Sequence, residues 1–435
     1  MLIKSLSLKE FKCFEQVDID FGKITLLTGA NSSGKSSLIN ALLGIMQSNY
    51  FPLYFALNGH FVNMGGYDDV IRKKTDENVF TVDIEFENNY YSTKWKQNER
   101  TEQPELYEFR NREKFVIRDK DDLAYIELTF TLKEFQEWKN ITKKKYESLS
   151  STEYQKIWRD YNGKYDILKE GNYEILRKTT SEVVIKYKDS FNRSMNGSDN
   201  SNFEVDYEID RFFNYMGSFR LPPERTYYRK PTASKIGVNG EGYIDQIIEW
   251  EESNNNNEFQ QLLKAISNLG LIHSIESNKM KGGRFELNVK VNENSTLASL
   301  TDVGFGISQF LPIIVADLQL NSQSCLAVSQ PEIHLHPKIQ ATLGDYFAKQ
   351  VKETEKQYIV ETHSEYLINR LRLLIVKGEL QPEDVKLYYM ENDGDKTTTY
   401  PIELTTDGQI KNAPQGFFDT YEMDVMDIAL FASAQ

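Results

Sequence analysis

Eight consecutive residues, Gly29-Ala30-Asn31-Ser32-Ser33-Gly34-Lys35-Ser36, set two glycines, a lysine and a run of hydroxyls at the spacing of a phosphate-binding loop. Phosphate chemistry needs each type. Glycines let backbone N–H groups close around β- and γ-oxygens, and a helix N-terminus adds partial positive charge. Lys35 brings a point charge to the phosphates, while the Ser36 hydroxyl can ligate Mg²⁺. The flanks agree. Ile24–Thr28 (ITLLT) reads as a buried strand, and Leu38, Ile39, Leu42, Leu43 and Met46 recur at helical spacing. A chance Gly-rich turn would carry neither flank, so the chain is expected to bind a nucleoside triphosphate.

Such a loop needs an acid at the end of a neighbouring strand, to hold Mg²⁺ and orient the attacking water. The best segment, Cys325–Pro337 (CLAVSQPEIHLHP), lies nearly 300 residues downstream. It follows Leu300–Gln309 (LTDVGFGISQ) and precedes Glu361-Thr362-His363-Ser364 at the end of a further strand. His334 and His336, with Glu332 nearby, superficially suit zinc, but no third spaced ligand is evident and a structural role is the reading taken.

The elements that must position these groups occupy both ends of the chain. Its 435 residues, 40% hydrophobic and 27% charged, suit a globular protein with a large core. No apolar run approaches the ~20 residues of a membrane span, and Met1–Phe14 has no signal-peptide core. Two cysteines, Cys13 and Cys325, form no disulfide framework, so a reducing cytoplasm is expected. Net charge is −14, which argues against a uniformly basic nucleic-acid-coating surface. Val79–Phe86 and Tyr125–Thr131 alternate like antiparallel strands, whereas about 133–177 reads as a polar helical arm. Cys325–Val328 and Tyr358–Val360 suit central parallel strands, with helices near 338–351 and 364–376 and a hairpin over 385–404. Gly416-Phe417-Phe418 and a final helical segment close the chain.

The order of these motifs resembles the ABC-type ATPase heads of the SMC, RecF and OLD group. FKCF, TGANSSGKSS, DVGFGISQFLP, QPEIHLHP, VETHSEYLINRLR and the terminal GFFD narrow the resemblance to standalone bacterial AAA family ATPases, several of them from anti-phage systems. The fold implied is α/β, a split ABC-type P-loop NTPase head with an inserted α+β arm domain. Residues 1–75 would form the N-terminal part of the head, 76–215 the arm and 216–435 the rest of the head. The resemblance implies that Asn31, Ser32, Ser33, Gly34, Lys35, Ser36 and Ser37 cradle ATP, with Ser36 on Mg²⁺ and Lys12 near the nucleotide. Thr301, Asp302, Gly304, Gly306, Ser308 and Gln309 would close in trans over the γ-phosphate of a second protomer. The alternative for that segment is a Gly-rich helix start packed in the core. His363 matches the switch histidine, again against a core histidine. Arg220 and Arg225 would steady phosphate or pack the lobes, and Gly65–Asp68 is the nearest guess at a Q-loop.

One departure stands out. Relatives place an acid at the end of the 325–328 strand; here Ser329 and Gln330 precede Pro331 and Glu332. Gln330 can position a water but cannot accept its proton, which leaves Glu332 as the nearby base. Slow native hydrolysis, takeover by Glu332 and an engineered ATP-trapping substitution are the three accounts. The expected function is an ATP-dependent switch, a homodimer or higher homo-oligomer controlling an effector encoded nearby, a nuclease or toxin in anti-phage defence, with no membrane partner. Two alternatives are kept. A DNA-clamping repair or chromosome-maintenance ATPase would need a basic stripe, for which Lys143-Lys144-Lys145 is thin support. An OLD-like ATPase-nuclease would need a metal-binding acidic cluster, for which the tail offers only the crowded Asp419, Glu422, Asp424 and Asp427.

Overall fold

The computed structural model describes residues 2–48, 51–52, 54–87, 89–116, 123–131, 165–167, 173–178, 183–187, 209–253, 257–414 and 417. In chain order the strands begin with β1 (Ile3–Phe11), β2 (Phe14–Asp20), β3 (Ile24–Gly29), β4 (Val79–Phe86), β5 (Asn89–Gln97), β6 (Pro104–Val116) and β7 (Leu123–Thr131). They continue with β8 (Tyr165–Ile167), β9 (Tyr173–Lys178), β10 (Val183–Tyr187), β11 (Phe213–Met216), β12 (Tyr227–Tyr228), β13 (Ser274–Met280), β14 (Arg284–Lys290) and β15 (Ala298–Ser299). The last are β16 (Cys325–Ser329), β17 (Gln357–Glu361), β18 (Val385–Asn392), β19 (Thr397–Leu404) and β20 (Ile410–Lys411). The α-helices are α1 (Lys35–Met46), α2 (Tyr243–Glu252), α3 (Asn257–Asn268), α4 (Phe305–Gln319), α5 (Pro337–Thr354) and α6 (Glu365–Val376).

The chain divides into two compact units. One comprises 1–2, 20–43 and 211–435, and the other 3–19 and 44–210. The first is built on a sheet of order β11-β16-β17-β3-β18-β19-β20. Its members from β11 to β18 run parallel, and β19 returns antiparallel to β18. Every residue of β3, β16 and β17 is buried, as strands covered on both faces require. The apolar runs at 325–328 and 358–360 are thus central parallel strands, and the expected helices and hairpin form α5, α6 and β18–β19. A smaller sheet of β12, β13, β14 and β15 belongs to the same unit.

The second unit is an antiparallel sheet of order β2-β1-β4-β5-β6-β7-β8. β1 and β4 alternate buried and exposed positions, the pattern of strands covered on one face. Phe11, Phe55, Tyr67, Phe80 and Trp95 are fully buried in its core and meet at ring separations of 5.5–6.0 Å. The division differs from 1–75, 76–215 and 216–435. Antiparallel pairing of Ile3–Lys9 with Thr81–Phe86 draws the N-terminal strands into the unit that holds the middle of the chain. Within the stretch expected to be helical, the described residues form β8 and β9. The remainder of that stretch, the lysine triplet and the acidic tail lie outside the described residues, as does the final helical segment. No helix among the described residues is long and apolar enough to cross a membrane.

Candidate functional site

β3 delivers the phosphate-loop segment at the C-terminal edge of the parallel sheet, where the strand hands over to α1. Gly29 has φ of 137°, and a Cβ there would stand 2.2 Å from the Met390 carbonyl oxygen at the tip of β18. Only glycine permits both. The Lys35 side chain is 4% exposed and folds back over the loop. Its Nζ donates to the carbonyls of Gly29 (2.9 Å) and Ala30 (2.7 Å) and to Ser33 Oγ (3.3 Å). Burial lowers the pKa of this ammonium, opposed by the negative charge of Glu361. Asn31, Ser32 and Ser36 are exposed, Ser37 is half-buried, and Ser33 and Gly34 are buried. The first turn of α1 carries no acidic residue, so nothing of its own competes with an anion there.

Parallel pairing brings the distant motifs to the same edge. Ser329 at the tip of β16 is in register with Glu361 at the tip of β17, and Glu361 with Leu27 of β3. The Glu361 carboxylate therefore lies between the two. It accepts from Ser36 Oγ at 3.1 Å and from Ser329 Oγ at 2.8 Å. Since Ser329 directs its proton to Glu361, the Tyr215 hydroxyl donates to Ser329 Oγ at 3.1 Å. Gln330, at φ 48°, turns the chain and donates its N–H to the Glu361 carbonyl. Glu332 is 8% exposed; its Oε1 accepts the His363 N–H at 2.7 Å, and its Oε2 has no partner. Burial pushes this carboxyl up, against the pull of that N–H and of Arg220.

Arg220 is 6% exposed and donates Nη2 to the Ser329 carbonyl at 2.7 Å, leaving Nε and Nη1 without partners. Burial brings its guanidinium down to about 10, opposed by Glu332 and Tyr215. Partial burial and the Lys35 charge lower the His363 pKa, with Glu361 opposing. Sequence reasoning placed Lys35, Ser36, Gln330, Glu332 and His363 in one site, and the structure brings them to one strand edge. It missed Glu361 and Tyr215, and it did not give Arg220 its place beneath Ser329. The available signal was the acid directly before Thr362-His363-Ser364, since ends of adjacent parallel strands share an edge. Buried donors without partners, a lysine tied only to its own loop and an acid-free helix start suit a magnesium-bound triphosphate.

The glycine-rich segment behaves unevenly. Thr301 and Asp302 end a 3₁₀ turn, Gly304 is exposed at the start of α4, and Asp302 pairs with Arg225 through two contacts of 2.7 and 3.1 Å. Gly306 packs tightly: a Cβ would stand 2.5 Å from the His334 carbonyl oxygen. Ser308 is fully buried and donates to the Phe305 carbonyl, and Gln309 is 3% exposed. In this conformation Ser308 and Gln309 face the interior, since the first two turns of α4 bury that side. His334 meets the Phe305 ring edge-on at 5.0 Å, and His336 caps α5 by accepting the Lys338 N–H. Among the described residues no three His, Cys, Asp or Glu gather as a metal cluster. Lys12 belongs to the antiparallel unit, on the turn between β1 and β2, where its N–H donates to Val70. Gly65–Asp68 is also there, leading into a 3₁₀ turn whose Tyr67 hydroxyl donates to the Asn78 and Trp95 carbonyls.

The model of the AAA ATPase domain family matches residues 1–368, and the chain belongs to that family. A second family, described as "Protein of unknown function (DUF3696)", matches residues 380–428. No curated protein matches the chain. Among solved structures, the SMC head domain from Thermotoga maritima is 13% identical, covering 93% of this chain and 100% of that one at a TM-score of 0.39. An Smc head with an extended coiled coil, bound to the C-terminal domain of ScpA from Pyrococcus furiosus, is 11% identical, covering 98% and 99% at 0.42. An SmcHead bound to the C-winged helix domain of ScpA is 11% identical, covering 93% and 98% at 0.43.

Proposed function

We propose that this chain is an ATP-dependent switch that works as a homodimer or higher homo-oligomer, slow to hydrolyse and set in conformation by nucleotide occupancy. One observation carries the reading: Lys35, Ser36, Glu332 and His363, from segments about 300 residues apart, converge on one edge of a parallel sheet. Lys35 leaves its loop carbonyls for the β- and γ-phosphates, and the backbone of Asn31–Ser37 closes around them. Magnesium, when bound, would supply charge neutralisation of the triphosphate, and the Ser36 hydroxyl would help to hold it. Gln330 positions a water and Glu332 takes its proton. His363 reads the γ-phosphate from the strand tip. Half-buried Thr301 and exposed Asp302 and Gly304, just before α4, would meet the nucleotide of a second copy. Joining that site requires Ser308 and Gln309 to turn outward. A nucleotide held by two copies favours their closed assembly and shifts that population.

Slow turnover follows from Ser329 and Gln330, neither of which ionises, at the tip of β16. The motif resemblance further supports an effector, a nuclease or toxin encoded nearby, acting in anti-phage defence in the cytoplasm. The test is the mass of the assembly with and without ATP and Mg²⁺. ATP is expected to raise the dimer fraction, and Thr301→Arg to abolish that rise while leaving binding to the single chain. An assembly indifferent to ATP would overturn the switch.

A further inference from the structure

The acid absent from the tip of β16 has a counterpart one strand nearer the phosphate loop. We propose that Glu361, on β17, is the carboxylate that faces the cation of a bound metal–nucleotide together with Ser36, in place of the acid that Ser329 lacks. This rests on the nucleotide reading above and concerns where the metal's negative partner comes from.

Three observations converge on it. Sheet order sets β17 between β16 and β3, so a group at its tip is closer to the loop than one at position 329. Glutamate then bridges the two, with one oxygen on Ser36 Oγ and the other on Ser329 Oγ. Ser36 gives its proton to Glu361, which leaves the serine oxygen's lone pairs free for a cation. Ser329 does not replace the acid; it donates to Glu361 and, backed by Tyr215, fixes its orientation.

A purely structural Glu361 would make the same two hydrogen bonds, so charge must separate the two roles. Beside a phosphate loop, a carboxylate repels the triphosphate unless a cation stands between them. Glu361 should therefore weaken metal-free ATP binding and strengthen metal-dependent binding. A hydrogen-bonding strut has no reason to do both.

The experiment measures binding of a fluorescent ATP analogue to the full chain, with Mg²⁺ and with EDTA. The unaltered protein is expected to bind at least about tenfold tighter with Mg²⁺. Glu361→Gln should bind the metal-free nucleotide tighter than the parent and lose the Mg²⁺ enhancement to within about threefold of unity. Adding Ser329→Asp to Glu361→Gln should restore it by returning an acid to the neighbouring tip. Retention of the full enhancement by Glu361→Gln would overturn the assignment.

If Glu361→Gln does not fold, the unaltered protein still decides. With ¹³C-carboxylate glutamate and Mn²⁺-ATP, electron–nuclear double resonance should detect a glutamate carbon near the metal, and none detected overturns the proposal. Failure of the unaltered protein to bind ATP at all would instead overturn the nucleotide reading beneath it.

Discussion

The two units differ in where their buried polar groups gather, although both hold buried atoms without a hydrogen-bond partner, Asp83 Oδ1 in the antiparallel unit among them. In the antiparallel unit Gln47 uses its amide on the backbone of Ala56, Phe61 and Val62, and Trp95 donates to Thr93, which donates to Val82. These bonds close on the unit itself and hold its aromatic core. In the parallel unit Glu361 ends β17, and the segments that follow the ends of β3, β11 and β16 carry Lys35, Arg220 and Glu332; Arg220 and Glu332 retain buried atoms without a partner. The difference follows from strand direction. A meander reverses at each turn and spreads its strand ends over two edges, whereas parallel strands end together and present side chains to one edge. Unmet bonding capacity at such an edge costs stability unless a ligand or water meets it.

The sharpest way to break this contrast is to damage the antiparallel core and follow the other unit's chemistry. Trp95→Ala removes a fully buried ring that packs 5.6 Å from Phe55. It should destabilise the protein by about 3–5 kcal/mol in urea unfolding, with ATP affinity within about twofold in the folded fraction. A tenfold or larger loss of affinity would show that the site is not confined to the parallel unit. Lys35→Ala should do the reverse, weakening ATP binding at least about 100-fold (~2.7 kcal/mol) with little change in melting temperature. Calorimetric titration measures it, and unchanged affinity would remove the site altogether.

Gly306→Ala presses a methyl onto the His334 carbonyl and should cost about 1–3 kcal/mol, measured by denaturant midpoint. A neutral result would mean that the start of α4 yields readily. The smallest effect is expected from Glu332→Gln, and its sign is informative. Burial raises the Glu332 pKa above its unfolded value, so its stabilising contribution is present at low pH and is lost as pH rises through the folded value. The glutamine variant should thus gain melting temperature relative to the parent, more at pH 8 than at pH 5, while ATP turnover falls. Unchanged turnover would remove Glu332 from the role of base.

What the sequence made legible was local. Eight residues and their flanks announce β3, the loop and α1, because glycine, lysine and helical periodicity act within twenty residues. Short apolar runs identify β16 and β17 for the same reason. Glu361 escaped because its significance depends on sheet order, which places β17 between strands separated from it by very different lengths of chain. For Ser308 and Gln309 the trans contact and the core-packed helix start both stayed open, because a Gly-rich helix start reads alike whether it faces solvent or core. β8 and β9 escaped because a polar run of Lys, Tyr and Glu satisfies helical and edge-strand patterns equally well.

The place of β3 also has a consequence for biosynthesis. This wholly buried strand is made near the beginning, yet its partners β17 and β18 begin roughly 330 and 360 residues later. At ribosomal speeds of about 5–20 residues per second, it waits on the order of 15–65 s for a neighbour. Nascent chains stalled before Gln357 should accordingly recruit holdase chaperones and stay protease-sensitive around Ile24–Gly29, and those released past Leu404 should not.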